Sequence, residues 1–234
     1  MPRFITLLIG WLLALTLSAA VGHAVGADGG DAGGLGQQVA DTYGFADWDA
    51  VEVLGFTFNV QTPERRVARR WTWRPKENLV TLEVEGAEPI TYRRDEIADD
   101  TPESVRQADR QFINDSYWLL FPFQLVWSNP AITDAGQASL PIGEGEGHKL
   151  VVRYPAEGGY TPGDAYDLYL DDAGLIVQWV YRGGGGEDGR AMTWENNLNL
   201  GPIKVSSEHR NEDGSFRLWF SGLSLKTSDA KNYP

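Results

Sequence analysis

Apolar side chains recur at every second position over most of this chain, and one stretch breaks the rhythm. In Glu52-Leu54-Phe56-Phe58-Val60 the even positions are apolar after the first, while Thr57 and Asn59 face the other way. The next run is sharper: Val67, Arg69, Trp71 and Trp73 alternate with Arg66, Ala68, Arg70, Thr72 and Arg74. A period of two with unlike faces predicts antiparallel strands that put one face on a core and the other in water. Further strands are expected at residues 78–84, 89–93, 148–154, 165–171, 175–179, 191–198, 203–210 and 216–225. Asp171-Asp172-Ala173-Gly174, between two apolar runs, is a strong hairpin signal. The pattern predicts about nine or ten antiparallel strands in one sheet order, with residues 129–147 as loop.

Two helices interrupt the strands. Leu35, Val39, Ala40 and Tyr43 fall at helical spacing, so a short helix is expected over 35–43, with Gly44 in the C-cap role. The second is the densest apolar run after the N-terminus, residues 111–127. Before it, Thr101 can be an N-cap, Pro102 is allowed at the first helical position, and the nearby carboxylates suit the helix dipole. Val105, Ala108, Phe112, Leu119 and Phe123 fall near one face. Pro122 lacks an N–H and would clash with the carbonyl of Trp118, so regular helix is expected to stop near residue 120. An irregular apolar segment through Trp127 should follow. The run is too short and too interrupted to span a bilayer, so it must be covered by the fold or line a place where something apolar sits.

Residues 1–27 read as a secretory leader. Arg3 supplies the positive end, residues 4–17 the apolar core, and small residues allow cleavage near Ala24 or Ala27. Export to a bacterial periplasm is therefore expected. The Gly- and Asp-rich residues 28–36 read as a flexible spacer, and 37–234 as a single domain.

Composition narrows the chemistry. The net charge of −13, with no basic stretch, gives the wrong field for nucleic acid. The absence of cysteine excludes disulfides, thiolate metal sites, cysteine nucleophiles and a lipidated N-terminus. Of the three histidines, His23 lies in the leader, and His148 and His209 sit singly on predicted strands, so they read as surface or cavity-rim residues. Gly143-x-Gly-x-Gly147 and residues 183–186 carry acidic neighbours and lead into turns or strands, which does not suit a phosphate cradle. Asp164, Asp167, Asp171 and Asp172 lack the spacing of a calcium loop. No nucleophile-elbow or zinc-protease motif occurs. No catalytic, metal or cofactor-binding residue is assigned, and a non-enzyme is expected.

What remains is aromatic: Phe56, Phe58, Trp71, Trp73, Tyr117, Trp118, Phe121, Phe123, Trp127 and Trp179, in a chain with nine tryptophans. These rings make either an ordinary core or the apolar face of a sheet that the central helix only partly fills. A single sheet of this many twisted strands curls, and its inner face then encloses side chains or a ligand.

Several stretches together resemble a known group. They are Tyr43-Gly44, Trp48, Val53-Leu-Gly-Phe-Thr-Phe58, Asn114-Asp-Ser-Tyr-Trp-Leu-Leu-Phe-Pro-Phe123, and the hairpin from Asp167 through Gly174 to Trp179. Over roughly residues 37–225 the chain resembles the lipoprotein-carrier superfamily, the LolA/LolB-like proteins and their mycobacterial lipid-binding relatives. The resemblance implies an α+β fold, mainly β. Its curved antiparallel sheet would form an incomplete barrel, covered by the short N-terminal helix and the broken central helix. It also implies an apolar cavity for acyl chains, lined by the ten aromatics. The lack of a lipidation cysteine departs from the membrane-anchored acceptor, and the Gly-rich loops and acidic balance depart from the carrier itself. The expected protein is an exported, monomeric relative that binds a lipid or other hydrophobic ligand and meets another envelope protein. Two other readings are a hydrolase using carboxylates at the barrel mouth and a filled-core module that binds a protein through its acidic surface.

Overall fold

The computed structural model describes residues 32–157, 159 and 161–234. The expected leader and the first part of the spacer lie outside the described residues. Helix α1 runs Ala32–Thr42, so it starts within the segment expected to be spacer. Its glycines do packing work. A Cβ on Gly36 would stand 2.9 Å from the backbone oxygen of Leu125, so only glycine allows that approach. At Gly44 φ is +86° and a Cβ would lie 2.3 Å from the Pro202 carbonyl oxygen, which makes this turn glycine's on both counts. The 3-10 segment Phe45–Ala50 then carries Phe45 and Trp48 into the first strand.

Among the described residues there are thirteen strands. The first four are β1 (Val51–Gln61), β2 (Arg66–Arg74), β3 (Leu79–Glu83) and β4 (Ile90–Arg93). After the helices come β5 (Ala131–Ser139), β6 (Glu146–Arg153), β7 (Ala165–Leu170), β8 (Ile176–Arg182) and β9 (Arg190–Thr193). The last are β10 (Glu195–Leu200), β11 (Ile203–Arg210), β12 (Arg217–Thr227) and β13 (Asn232–Tyr233). They form two antiparallel sheets, β10-β11-β12-β1-β2-β3-β4 with β13 beside β12, and β5-β6-β7-β8-β9. The class is α+β with an incomplete, barrel-like arrangement, as expected, but the strands lie in two sheets and not one.

Three differences from the expected pattern have physical causes. The run 191–198 divides at Trp194, whose N–H still donates to Val177 of the second sheet at 2.8 Å, while Glu195 already pairs with Glu208 of the first. A strand that changes sheets keeps its period of two, so its sequence does not mark the corner. Strand β5 lies where loop was expected. It is an edge with only Ile132 buried and a bulge between Asp134 and Gly136, so it offers no apolar alternation. Strand β13 is a two-residue pairing at the C-terminus.

The central cover consists of α2 (Glu103–Leu119) and α3 (Phe121–Trp127). The expected irregular segment is therefore a second helix. Pro122 sits in the first turn of α3, where the missing N–H has no helical partner to lose, so it starts this helix while ending the previous one. Leu120, at φ −116° and ψ 25°, is the break. Thr101 does not cap α2; its hydroxyl accepts the Ala98 N–H at 2.9 Å. Strands β4 and β5 end their sheets without pairing to each other. The chain bridges that gap with α2, which touches β4 and β11, and α3, which packs on α1.

Candidate functional site

The interior between the sheets is the candidate site. Along β2 the alternation turns Arg69, Trp71 and Trp73 inward, and along β1 it does the same for Leu54, Phe56 and Phe58. Helix α2 meets β2 with Phe112 and Asp115, while Tyr117 of α2 and Phe121 of α3 pack against Tyr166 of β7, and Phe123 of α3 against Trp48. Nine of the ten aromatics expected to line a cavity are buried or half-buried; Trp127, at 40% exposure, is the exception.

The rings form two networks. In the first, Trp71 and Trp73 sit edge-on to Phe112 at 5.5 and 5.4 Å. Trp48 then links Trp73, Phe123 and Trp127 at 5.4, 5.6 and 5.1 Å. Phe45 touches Phe123 and Trp127. In the second, Trp179 gathers Trp118, Phe121, Tyr166 and Trp194 at 4.6, 4.8, 5.0 and 4.9 Å. Tyr117 and Tyr154 join through Tyr166. Phe56 and Phe58 join through Phe220, which stands 6.2 Å from His209. The expected residues are thus brought together, but by packing on one another. Two surface clefts, of about 390 and 260 Å³, lie at strand ends around Glu52, Arg74 and Lys226 and around Gln61, Thr62 and Arg217; neither is lined by these rings.

One charge pair stands inside this apolar region. Arg69 Nε and Nη2 donate to the two Asp115 oxygens at 2.7 and 2.6 Å, and Trp71 Nε1 donates to the same carboxylate at 2.8 Å. Asp115 is fully buried. Burial pushes its carboxyl above the ordinary range, and the Arg69 hydrogen bonds pull it back. With both of its oxygens held by donors, Asp115 joins Arg69 in a clamp between α2 and β2. Its signal was present in the sequence: Arg69 shares a face with Val67, Trp71 and Trp73, and Asp115 interrupts the apolar run.

His209 is the main correction among the titratable residues. It was expected at the surface or a cavity rim and is wholly buried, with Nδ1 3.2 Å from the Thr193 carbonyl oxygen. Burial holds its pKa down at about 3. His148 is at the surface beside Asp134, at 2.9 Å. Two of the aspartates weighed as calcium ligands have other roles. Asp171 accepts the Ala173 and Leu175 N–H groups in its hairpin, and buried Asp167 pairs with Lys149 and Arg182. Among the described residues no group of three or more acidic or histidine side chains is placed to hold a metal. Phe45, Trp48, Phe112, Tyr166, Trp194 and Phe220 were missing from the expected set, although each is a large aromatic on an element flanking it.

No protein-family model and no curated protein sequence matches the chain. Solved structures similar to it include a LolA superfamily protein from Nitrosomonas europaea, at 8% identity and a TM-score of 0.46, covering 82% of this chain and 93% of that one. A domain described with outer membrane lipoprotein-sorting proteins, from Vibrio parahaemolyticus, is similar at 12% identity and TM-score 0.45, covering 85% and 91%. A DUF1329 family protein from Desulfovibrio piger is similar at 9% identity and TM-score 0.44, covering 82% and 90%. Structural neighbours thus include members of the superfamily that the sequence motifs resemble.

Proposed function

We propose that this chain is an exported binding protein that takes the apolar part of a lipid or similar ligand between its two sheets. In this reading α3 and the 3-10 segment before β1 are the cover that moves. The observation that carries it is the break at Leu120 between the two helices that connect β4 to β5. Each of the two helices meets both ring networks, α2 through Phe112 and Tyr117 and α3 through Phe123 and Phe121, and the far end of the cover already exposes Trp127 to 40%. A ligand would take the place now filled by Phe121 and Phe123.

The magnitudes allow that exchange. Exposing one large apolar side chain costs about 2–3 kcal/mol, whereas an acyl chain gains about 0.8 kcal/mol per buried methylene. Roughly ten buried methylenes, at about 8 kcal/mol, outweigh the loss of two phenylalanines. The carboxylate among the inward-facing rings, Asp115, is held by Arg69, which suits binding.

The test is titration of delipidated protein with a fluorescent fatty acid. Uptake at micromolar probe is expected, and Trp118→Asp should weaken it while the circular dichroism spectrum stays native. No uptake would overturn this reading and leave a filled core. Native mass spectrometry of protein from its host should also show a co-purifying lipid.

A further inference from the structure

Among the described residues, two buried side-chain nitrogens in the second ring network lack a hydrogen-bond partner, Trp179 Nε1 and His209 Nε2. Buried polar atoms are nearly always paired, so two such atoms within one apolar region are unusual. His209 and Trp179 are 0% and 2% exposed. The Thr193 carbonyl can only accept, so His209 Nδ1 carries the hydrogen and Nε2 offers a buried lone pair. Trp179 Nε1 offers a buried N–H. The two residues share a box: Trp194 stands 4.3 Å from His209 and 4.9 Å from Trp179, and Trp118 stands 5.4 and 4.6 Å from them.

We infer that this box is a polar subsite for the hydroxyl group of a neutral amphiphile whose chain lies in the interior. The inference rests on the proposed carrier function and adds the chemistry of the ligand's polar end. A hydroxyl complements both orphaned atoms, because its O–H donates to an imidazole lone pair and its oxygen accepts from an indole N–H. A carboxylate has no hydrogen to give Nε2. It would also need a cation in the interior, and Arg69 is already engaged by Asp115. An ammonium would meet no free anion there. An ether or ester accepts but does not donate, so it leaves Nε2 unpaired.

Access follows from the cover. Trp118, half-buried on the last turn of α2, forms one wall of the box and lies two residues before the break at Leu120. A displacement that opens the interior at this break therefore also moves the wall of the subsite.

The experiment is competition against a bound fluorescent fatty acid on the delipidated full chain, with 1-dodecanol and its methyl ether as competitors. The alcohol should bind at least tenfold more tightly than the ether in the wild type. His209→Phe should bring the two within about twofold, and Trp179→Phe, which keeps a ring and removes the N–H, should weaken dodecanol about fivefold. If His209→Phe does not fold, the Trp179→Phe result decides. Equal affinity for alcohol and ether in the wild type overturns the subsite and leaves the carrier reading standing. So does dodecanol affinity that is unchanged in the folded variants. Competition by neither compound, with the fatty acid itself not bound, overturns both.

Discussion

At the scale of single residues, His209 changes the meaning of its strand. Burial keeps the imidazole neutral, with a pKa near 3 in place of about 6.5. The unfolded chain therefore binds more protons between those values, and folding stability falls as the pH drops from about 6.5 toward about 3. One such group contributes at most about 1.4 kcal/mol per pH unit across that window. Urea denaturation at pH 7, 6, 5 and 4 should show this part of the slope in the wild type and its loss in His209→Phe; parallel slopes would contradict a buried neutral imidazole. The burial was legible. His209 shares the parity of Ile203 and Val205 along β11, and both of those are buried. Treating it as one isolated histidine hid that parity. The orphaned atoms were not legible, because whether a buried nitrogen finds a partner depends on neighbours from other strands.

At the scale of elements, the Arg69–Asp115 clamp ties α2 to β2 across 46 residues of chain. Removing one partner of a buried pair leaves the other charge without compensation, typically at about 3–5 kcal/mol, whereas replacing both with apolar groups is far less costly. Asp115→Ala should therefore lose about 3 kcal/mol in urea denaturation, and the double variant Arg69→Met/Asp115→Leu should recover most of it. Equal losses in the single and double variants would mean that packing, not charge, fixes α2. The existence of α2 followed from its apolar face, and the break from Pro122. That the chain beyond the break is helical did not follow, since the same proline can end one helix and open another. Edge strand β5 escaped notice because its exposed faces carry no hydrophobic alternation, and its bulge shifts what alternation there is.

At the scale of the molecule, period-two patterning gave the antiparallel character and the inward rings of β1, β2 and β8, but not how the strands divide. Division into sheets depends on corners such as Trp194, where hydrogen-bond partners change and the pattern does not. The same long-range order has a consequence in time. Strand β1 is paired along its length with β12, and Asn59 reaches Trp219 across 160 residues. The central strand of the larger sheet must wait for residues 217–227. Contacts this distant in sequence make folding slow. A chain ending at Leu200 should accordingly show no cooperative urea transition, and a sharp transition would show that β1 manages without β12. Until residues 217–227 are available, one whole edge of β1 stays open to any other strand that reaches it.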